Sequence, residues 1–205
     1  METTAPEVAA FDLDGTLTGR DTVLPFLCEA VGMRLFLLGL PALLPSLAAR
    51  GLGLLEATPT KELLFTRYLR GRPLDEIRAA GQRFACGTLP RMLRPAAVQR
   101  LRWHQERGHR CFVVTASPDL YVAPWAESLG VKTLGSGLEA DAGGRLTGRH
   151  QGAPCEGPEK LRRLIDAVGG EPFVLHAYGD SKGDAQLLAA ARHAYWRRFP
   201  PAEGR

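Results

Sequence analysis

The chain has 205 residues, enough to bury a sizeable core without disulfide or metal staples, and suits one domain carrying an insertion. With 45% hydrophobic and 23% charged residues it has the composition of a folded globular protein, which excludes a disordered or collagen-like chain. The net charge is +4, but 22 of the 26 basic residues are arginines dispersed along the whole length, so no clustered patch predicts a nucleic-acid partner.

Cys28, Cys86, Cys111 and Cys155 have no paired spacing, and no series of basic, apolar and cleavage-site residues opens the chain. Reduced thiols and a cytoplasmic location are the expectation. The apolar run from Val8 to Phe11 reads as a buried strand, and it ends in Asp12-Leu13-Asp14-Gly15-Thr16. Carboxylates at a strand end are costly unless used, and in an open parallel sheet that end is where ligands bind. Gly15 lets the backbone turn away, and the Thr16 hydroxyl can brace the turn. A calcium loop would need further oxygen ligands and a later glycine, neither of which follows.

Asp21 is placed to cap a helix through Val23, Leu27 and Val31, with Gly32 as its stop. The stretch 35–49 then carries no charge, lies between Arg34 and Arg50, and is interrupted by Pro41 and Pro45. It is shorter than the roughly 20 apolar residues of a spanning helix. Two readings fit it: a buried helix of a small helical domain, or a segment dipping into a membrane surface between arginine anchors. Leu63, Leu64, Tyr68 and Leu69, then Leu74, Ile77 and Phe84, predict two more helices broken at Gly71-Arg72-Pro73. No strand pattern appears between Asp21 and Cys86. An all-helical block, 21–86, therefore interrupts an α/β pattern carried by 6–20 and 87–200.

Alternation resumes with a helix from Pro95 to Gly108 and a strand from Arg110 to Val114, which ends in Thr115-Ala116-Ser117. The Thr115 hydroxyl and the amides after it are positioned to bind phosphate oxygens, and Ser117 reads as the N-cap of the next helix. A hairpin is predicted around Gly143-Gly144, followed by a helix opened by Pro158. Lys160 falls in that helix's first turn, where a solvated cation gains nothing from the helix dipole. The strand Phe173 to Tyr178 ends in Gly179-Asp180-Ser181-Lys182-Gly183-Asp184, and His193 to Trp196 forms a last edge strand. His104, His109, His150, His176 and His193 share no metal-ligand spacing.

The four stretches at Asp12 to Thr16, Thr115 to Ser117, Lys160, and Gly179 to Asp184 resemble, in order, the four motifs of the haloacid dehalogenase superfamily. The helical insert resembles the C1 cap of its phosphoserine phosphatase-like subfamily, and the apolar run within it is similar to the insert of bacterial phosphatidylglycerophosphatase C. The resemblance implies a Rossmann-like parallel sheet under a helical cap, and a Mg²⁺-dependent phosphatase. It implies Asp12 as nucleophile, Asp14 as acid and base, and Lys160 as catalytic and phosphate-binding. It further implies Thr115 and Ala116 at the phosphate, and Asp12, Asp14, Asp180 and Asp184 around the metal. The substrate is expected to be a small phosphate ester or a lipid phosphate, with peripheral membrane contact through 35–49 in the second case. A noncatalytic phosphate- or membrane-binding module of the same fold is the alternative.

Overall fold

The computed structural model describes residues 5–200 except 53, 55 and 56. Its centre is β1 (Glu7–Phe11), in which Val8, Ala9, Ala10 and Phe11 have no exposed surface. A continuous apolar strand of this kind needs cover on both faces. It has β2 (Arg110–Pro118) on one side and β5 (Val174–Gly179) on the other, both parallel to it. With β3 (Lys132–Ala140), β4 (Leu146–Gln151) and β6 (His193–Trp196), the described residues form a six-stranded sheet in the order β4-β3-β2-β1-β5-β6, parallel except for β4.

Alternation along the strands sorts the side chains into two apolar layers. Val8, Ala10, Phe112, Val114 and Ala177 pack under α8 (Pro158–Val168) and α9 (Ala185–Ala189) through Leu164 and Leu187. On the other face Phe11 stacks on Tyr178, ring centroids 4.4 Å apart, within a cluster that includes Leu101 of α6 (Pro95–Glu106) and Val122 of α7 (Asp119–Glu127). Such a ring pair adds about 0.5–1.5 kcal/mol beyond its buried area.

The helical block comprises α1 (Val23–Val31), α2 (Met33–Gly39), α3 (Leu44–Gly51), α4 (Ala57–Leu69) and α5 (Leu74–Gly87). Its apolar interior, with Phe26, Phe65, Leu69 and Phe84, is continuous with the second sheet face. Gly81 permits that closeness between α5 and α7, because a Cβ there would sit 2.5 Å from the Leu120 carbonyl oxygen.

Two expectations are corrected. Strand β2 continues to Pro118 instead of stopping at Val114, because after a register irregularity Pro118 pairs with Ser136 of β3. Helix α7 accordingly begins at Asp119 with Pro118 as its N-cap, and Ser117 is not a cap. The stretch 35–49 is also not the buried helix of one reading. Leu35, Leu37, Leu38 and Leu44 are 52%, 55%, 74% and 53% exposed. Among the described side chains a thin stripe turns inward, where Phe36 stacks on Tyr68, Gly39 lies against that ring, and Leu43 is buried. No single helix among the described residues is long and apolar enough to cross a membrane; α1 and the segment Met33–Ser46 are bent by 119° at their junction.

Candidate active site

Three adjacent strand ends converge. The Asp12 amide donates to the Tyr178 carbonyl at 2.9 Å, which brings Asp12 two residues from Asp180 across the β1–β5 pair. Phe11 is level with Val113, so Thr115 follows just past the same level on β2. After Asp12 the chain turns through Leu13–Leu17, with Gly15 at φ +80°. That conformation favours glycine, and a Cβ there would also collide with the Asp180 carboxylate. Thr16 braces the turn from 3.5 Å to Asp180 Oδ1, and Arg94 donates to the Gly15 carbonyl at 3.1 Å.

Lys160 rises from the first turn of α8 into this junction and is 2% exposed. Its Nζ lies 2.5 Å from Asp12 Oδ1 and 2.6 Å from Asp184 Oδ1. Burial alone would strip its proton, but the two carboxylates outweigh that and raise its pKa. Asp184 is fully occupied, since its Oδ2 accepts from the Asp180 and Ser181 amides and the Ser181 hydroxyl at 3.1, 3.0 and 2.9 Å. It braces the loop and aims the lysine. Asp12 has only half of that ammonium, and among the described residues no hydrogen bond reaches its Oδ2. Burial pushes its pKa up to about 7 against the pull of Lys160.

Asp14 faces the helical block instead. Its Oδ1 accepts from the amide and hydroxyl of Thr22, both at 2.7 Å, and its Oδ2 accepts a short hydrogen bond from Ser117. Lys61 of α4 stands 4.0 Å from the same Oδ2 and 3.5 Å from the Ser117 oxygen, and it is 8% exposed. Thr58, at the start of α4, ties the block to the core through Glu156 at 2.5 Å. The Thr115 hydroxyl accepts the Ser117 amide at 3.0 Å, so that amide is taken by the strand end, contrary to the expectation that it is free for phosphate. Ala116 lies between them, half-buried. Lys182 is exposed.

The donor set fits a hard divalent cation. Asp12, Asp180 and Asp184 each bring a carboxylate oxygen within 4.8 Å of the others. Four carboxylates, counting Asp14, face one directly bonded ammonium, and burial followed by the charge on Asp184 raises the Asp180 pKa. All-oxygen ligands and uncompensated negative charge suit magnesium-class ions. A separate cleft of about 740 Å³, lined by Arg78, Asp119 and Arg163 among others, contains none of these carboxylates.

Thr22, Lys61, Arg94 and Ser117 were not legible as site residues. For Lys61 a signal existed, because it shares the α4 face of Leu64, Phe65 and Tyr68, and a lysine on an apolar stripe needs a buried partner.

Strand-end acids around a buried lysine, on a parallel sheet under helices, define a hydrolase of the haloacid dehalogenase type. The family model described as haloacid dehalogenase-like hydrolase matches residues 9–189, and the chain belongs to that family. Among curated relatives it is similar to Protein CicA of Caulobacter vibrioides, 37% identical over 199 residues, which is 95% of this chain and 87% of that protein. Among solved structures it is similar to a protein of unknown function from Bordetella pertussis Tohama I. The TM-score is 0.74 and the identity 26%, over 91% of this chain and 87% of that one. A phosphoserine phosphatase solved as a phospho-aspartyl intermediate analogue has the same fold, with TM-score 0.60 and 18% identity over 92% of this chain and 84% of that one.

Proposed function

We propose that the chain is a Mg²⁺-dependent phosphomonoesterase that works through an aspartyl-phosphate on Asp12. The observation that carries this reading is the Lys160 ammonium bridging Asp12 and Asp184 where three strands end. A phosphate dianion repels an attacking carboxylate unless positive charge stands beside both. Lys160 supplies part of that charge, and bound Mg²⁺ would supply the rest as an electrostatic clamp on the phosphoryl oxygens. Asp12 and Asp180 would hold the ion with the Asp14 backbone carbonyl, and Asp184 would orient its water ligands.

In the first half-reaction an Asp12 oxygen forms a bond to phosphorus and the ester P–O bond breaks. The leaving oxygen takes a proton from Asp14. In the second, water attacks phosphorus, Asp14 receives its proton, and inorganic phosphate leaves with the Asp12 carboxylate restored. Thr115 and the Ala116 amide would hold phosphoryl oxygens from the β2 side.

The exposed leucines of 35–49 favour a lipid phosphate over a soluble ester, with a cytoplasmic protein resting on the inner membrane face. Arg34 is exposed at one end of that apolar surface, where it can meet anionic headgroups.

The test is phosphate release from p-nitrophenyl phosphate, phosphoserine and phosphatidylglycerophosphate, with and without EDTA. Turnover that needs Mg²⁺ and vanishes in Asp12→Asn is expected. Turnover retained by Asp12→Asn would remove the nucleophile, and no turnover with any ester, alongside tight phosphate binding, would make the chain a noncatalytic phosphate-binding module. Preference for phosphoserine over the lipid would sink the lipid reading alone.

A further inference from the structure

Four of the chain's five histidines, scattered from 104 to 193, gather near the amino-terminal ends of the strands, away from the carboxylates. His104 comes from the last turn of α6, His109 from the residue before β2, and His176 from within β5. His104 Nδ1 and His109 Nδ1 are 2.8 Å apart, and the His104 ring centroid is 4.8 Å from that of His176. His193 stacks on the outer face of His176 at 4.4 Å.

One of the His104 and His109 Nδ1 atoms carries the proton they share, which a bound metal would displace to the outer nitrogen of that ring, while His176 offers a lone pair directly. His176 Nε2 lies 2.7 Å from the Glu7 carboxylate, which can only accept, so that nitrogen carries the proton. Its Nδ1 is then a bare acceptor, and in a ring that is 7% exposed it has no partner. A buried unpaired nitrogen is costly and calls for an explanation. His104 Nε2 is 2.9 Å from the Tyr178 hydroxyl, whose oxygen also accepts from Arg100 Nε at 2.7 Å, so the outer nitrogen of that ring is held by a hydrogen bond as well. An imidazole whose outer nitrogen is fixed by a carboxylate or hydroxyl is the usual arrangement of a metal-bound histidine.

We propose that His104, His109 and His176 form a second metal site, for a divalent transition ion of the zinc class, with Glu7 and Tyr178 orienting the ligands. One ring nitrogen from each of the three lies within 4.8 Å of the others. Tetrahedral zinc, with Zn–N bonds of 2.0–2.1 Å, needs nitrogens ~3.3 Å apart, so the rings converge by small rotations. His104 and His176 are buried and His109 half-buried, surroundings in which a charged imidazole is disfavoured. Neutral imidazoles keep their lone pairs for a metal. Arg100 and Arg107 oppose any cation, which disfavours ions held by charge alone and leaves those that bond to nitrogen. The site is chemically separate from the all-oxygen cluster at Asp12.

The test is titration of metal-free protein with Co²⁺ in excess Mg²⁺, read by the visible absorption of four-coordinate cobalt, followed by displacement with Zn²⁺. Uptake of a single equivalent is expected, lost in His109→Gln and His176→Gln and kept in Asp12→Asn. His109 is only half-buried, so its variant decides the matter if His176→Gln fails to fold. No cobalt spectrum in the wild type, a spectrum that survives His109→Gln, or one abolished by Asp12→Asn would overturn the proposal.

Discussion

Lys61, carried by the helical block, stands 4.0 Å from the Asp14 carboxylate of the core, and both converge on the Ser117 hydroxyl. A lysine from an inserted helix thus closes one side of a site otherwise built from strand ends. In the proposed reaction it would meet the phosphoryl group or its leaving oxygen. Replacing Lys61 by Met is expected to lower kcat/KM by about 10²-fold, the scale of losing one charge-stabilising donor. Steady-state kinetics with an unchanged circular dichroism spectrum check this; an unaltered kcat/KM would make Lys61 structural.

Lys160 is the only described ammonium bonded directly to Asp12 and Asp184. Lys160→Met leaves Asp12 buried without its hydrogen-bonded ammonium and Asp184 without its counter-ion, which is expected to cost about 3–5 kcal/mol in urea unfolding without metal. Mg²⁺ should recover part of that loss by restoring positive charge beside Asp12. A variant as stable as the wild type in EDTA would contradict the charge balance argued for this junction.

His104 is fully buried with its pKa at about 2, against 6.5 in an exposed imidazole. The folded chain therefore excludes a proton that the unfolded chain binds. Stability from this group is complete above pH 6.5 and is lost as pH falls from there toward 2, at about 1.4 kcal/mol per pH unit. Urea midpoints of metal-free protein should decline between pH 6.5 and about 5, and His104→Gln should flatten the decline. A wild-type midpoint that is level over this range would mean that the cluster accepts protons without cost.

The exposed leucines give a prediction separate from the chemistry. Leu38→Asp with Leu44→Asp, both at more than half-exposed positions, should abolish co-sedimentation with anionic vesicles and leave p-nitrophenyl phosphate turnover unchanged. Equal sedimentation of variant and wild type would detach the run from any bilayer.

What could be read from the chain alone was local. Val8 to Phe11, Arg110 to Val114 and Phe173 to Tyr178 are short apolar runs closed by polar residues, and Gly32, Pro95 and Pro158 punctuate helices by fixed backbone preferences. Motif order added the likeness of the strand-end acids and Lys160 to a known family. Periodicity could not tell whether 35–49 is covered, because an apolar residue looks the same in sequence whether or not a neighbour packs on it. The end of β2 is not encoded locally for a related reason: pairing of Pro118 with Ser136 on β3 extends the strand past its apolar residues.

The sequence by itself determined the alternation of strands and helices, the helical interruption, and which strands end in acids or hydroxyls, because each depends on residues a few positions apart. Only the tertiary structure decided that Ser117, Thr22 and Lys61 surround Asp14, that Asp184 is saturated while Asp12 is not, and that four distant histidines share one corner. The hold of Ser181 on Asp184 is local, but most of these contacts join separate elements, as Ser117 meets Asp14 from 103 residues away and Lys160 meets Asp184 from 24, and these are set by strand order and helix placement.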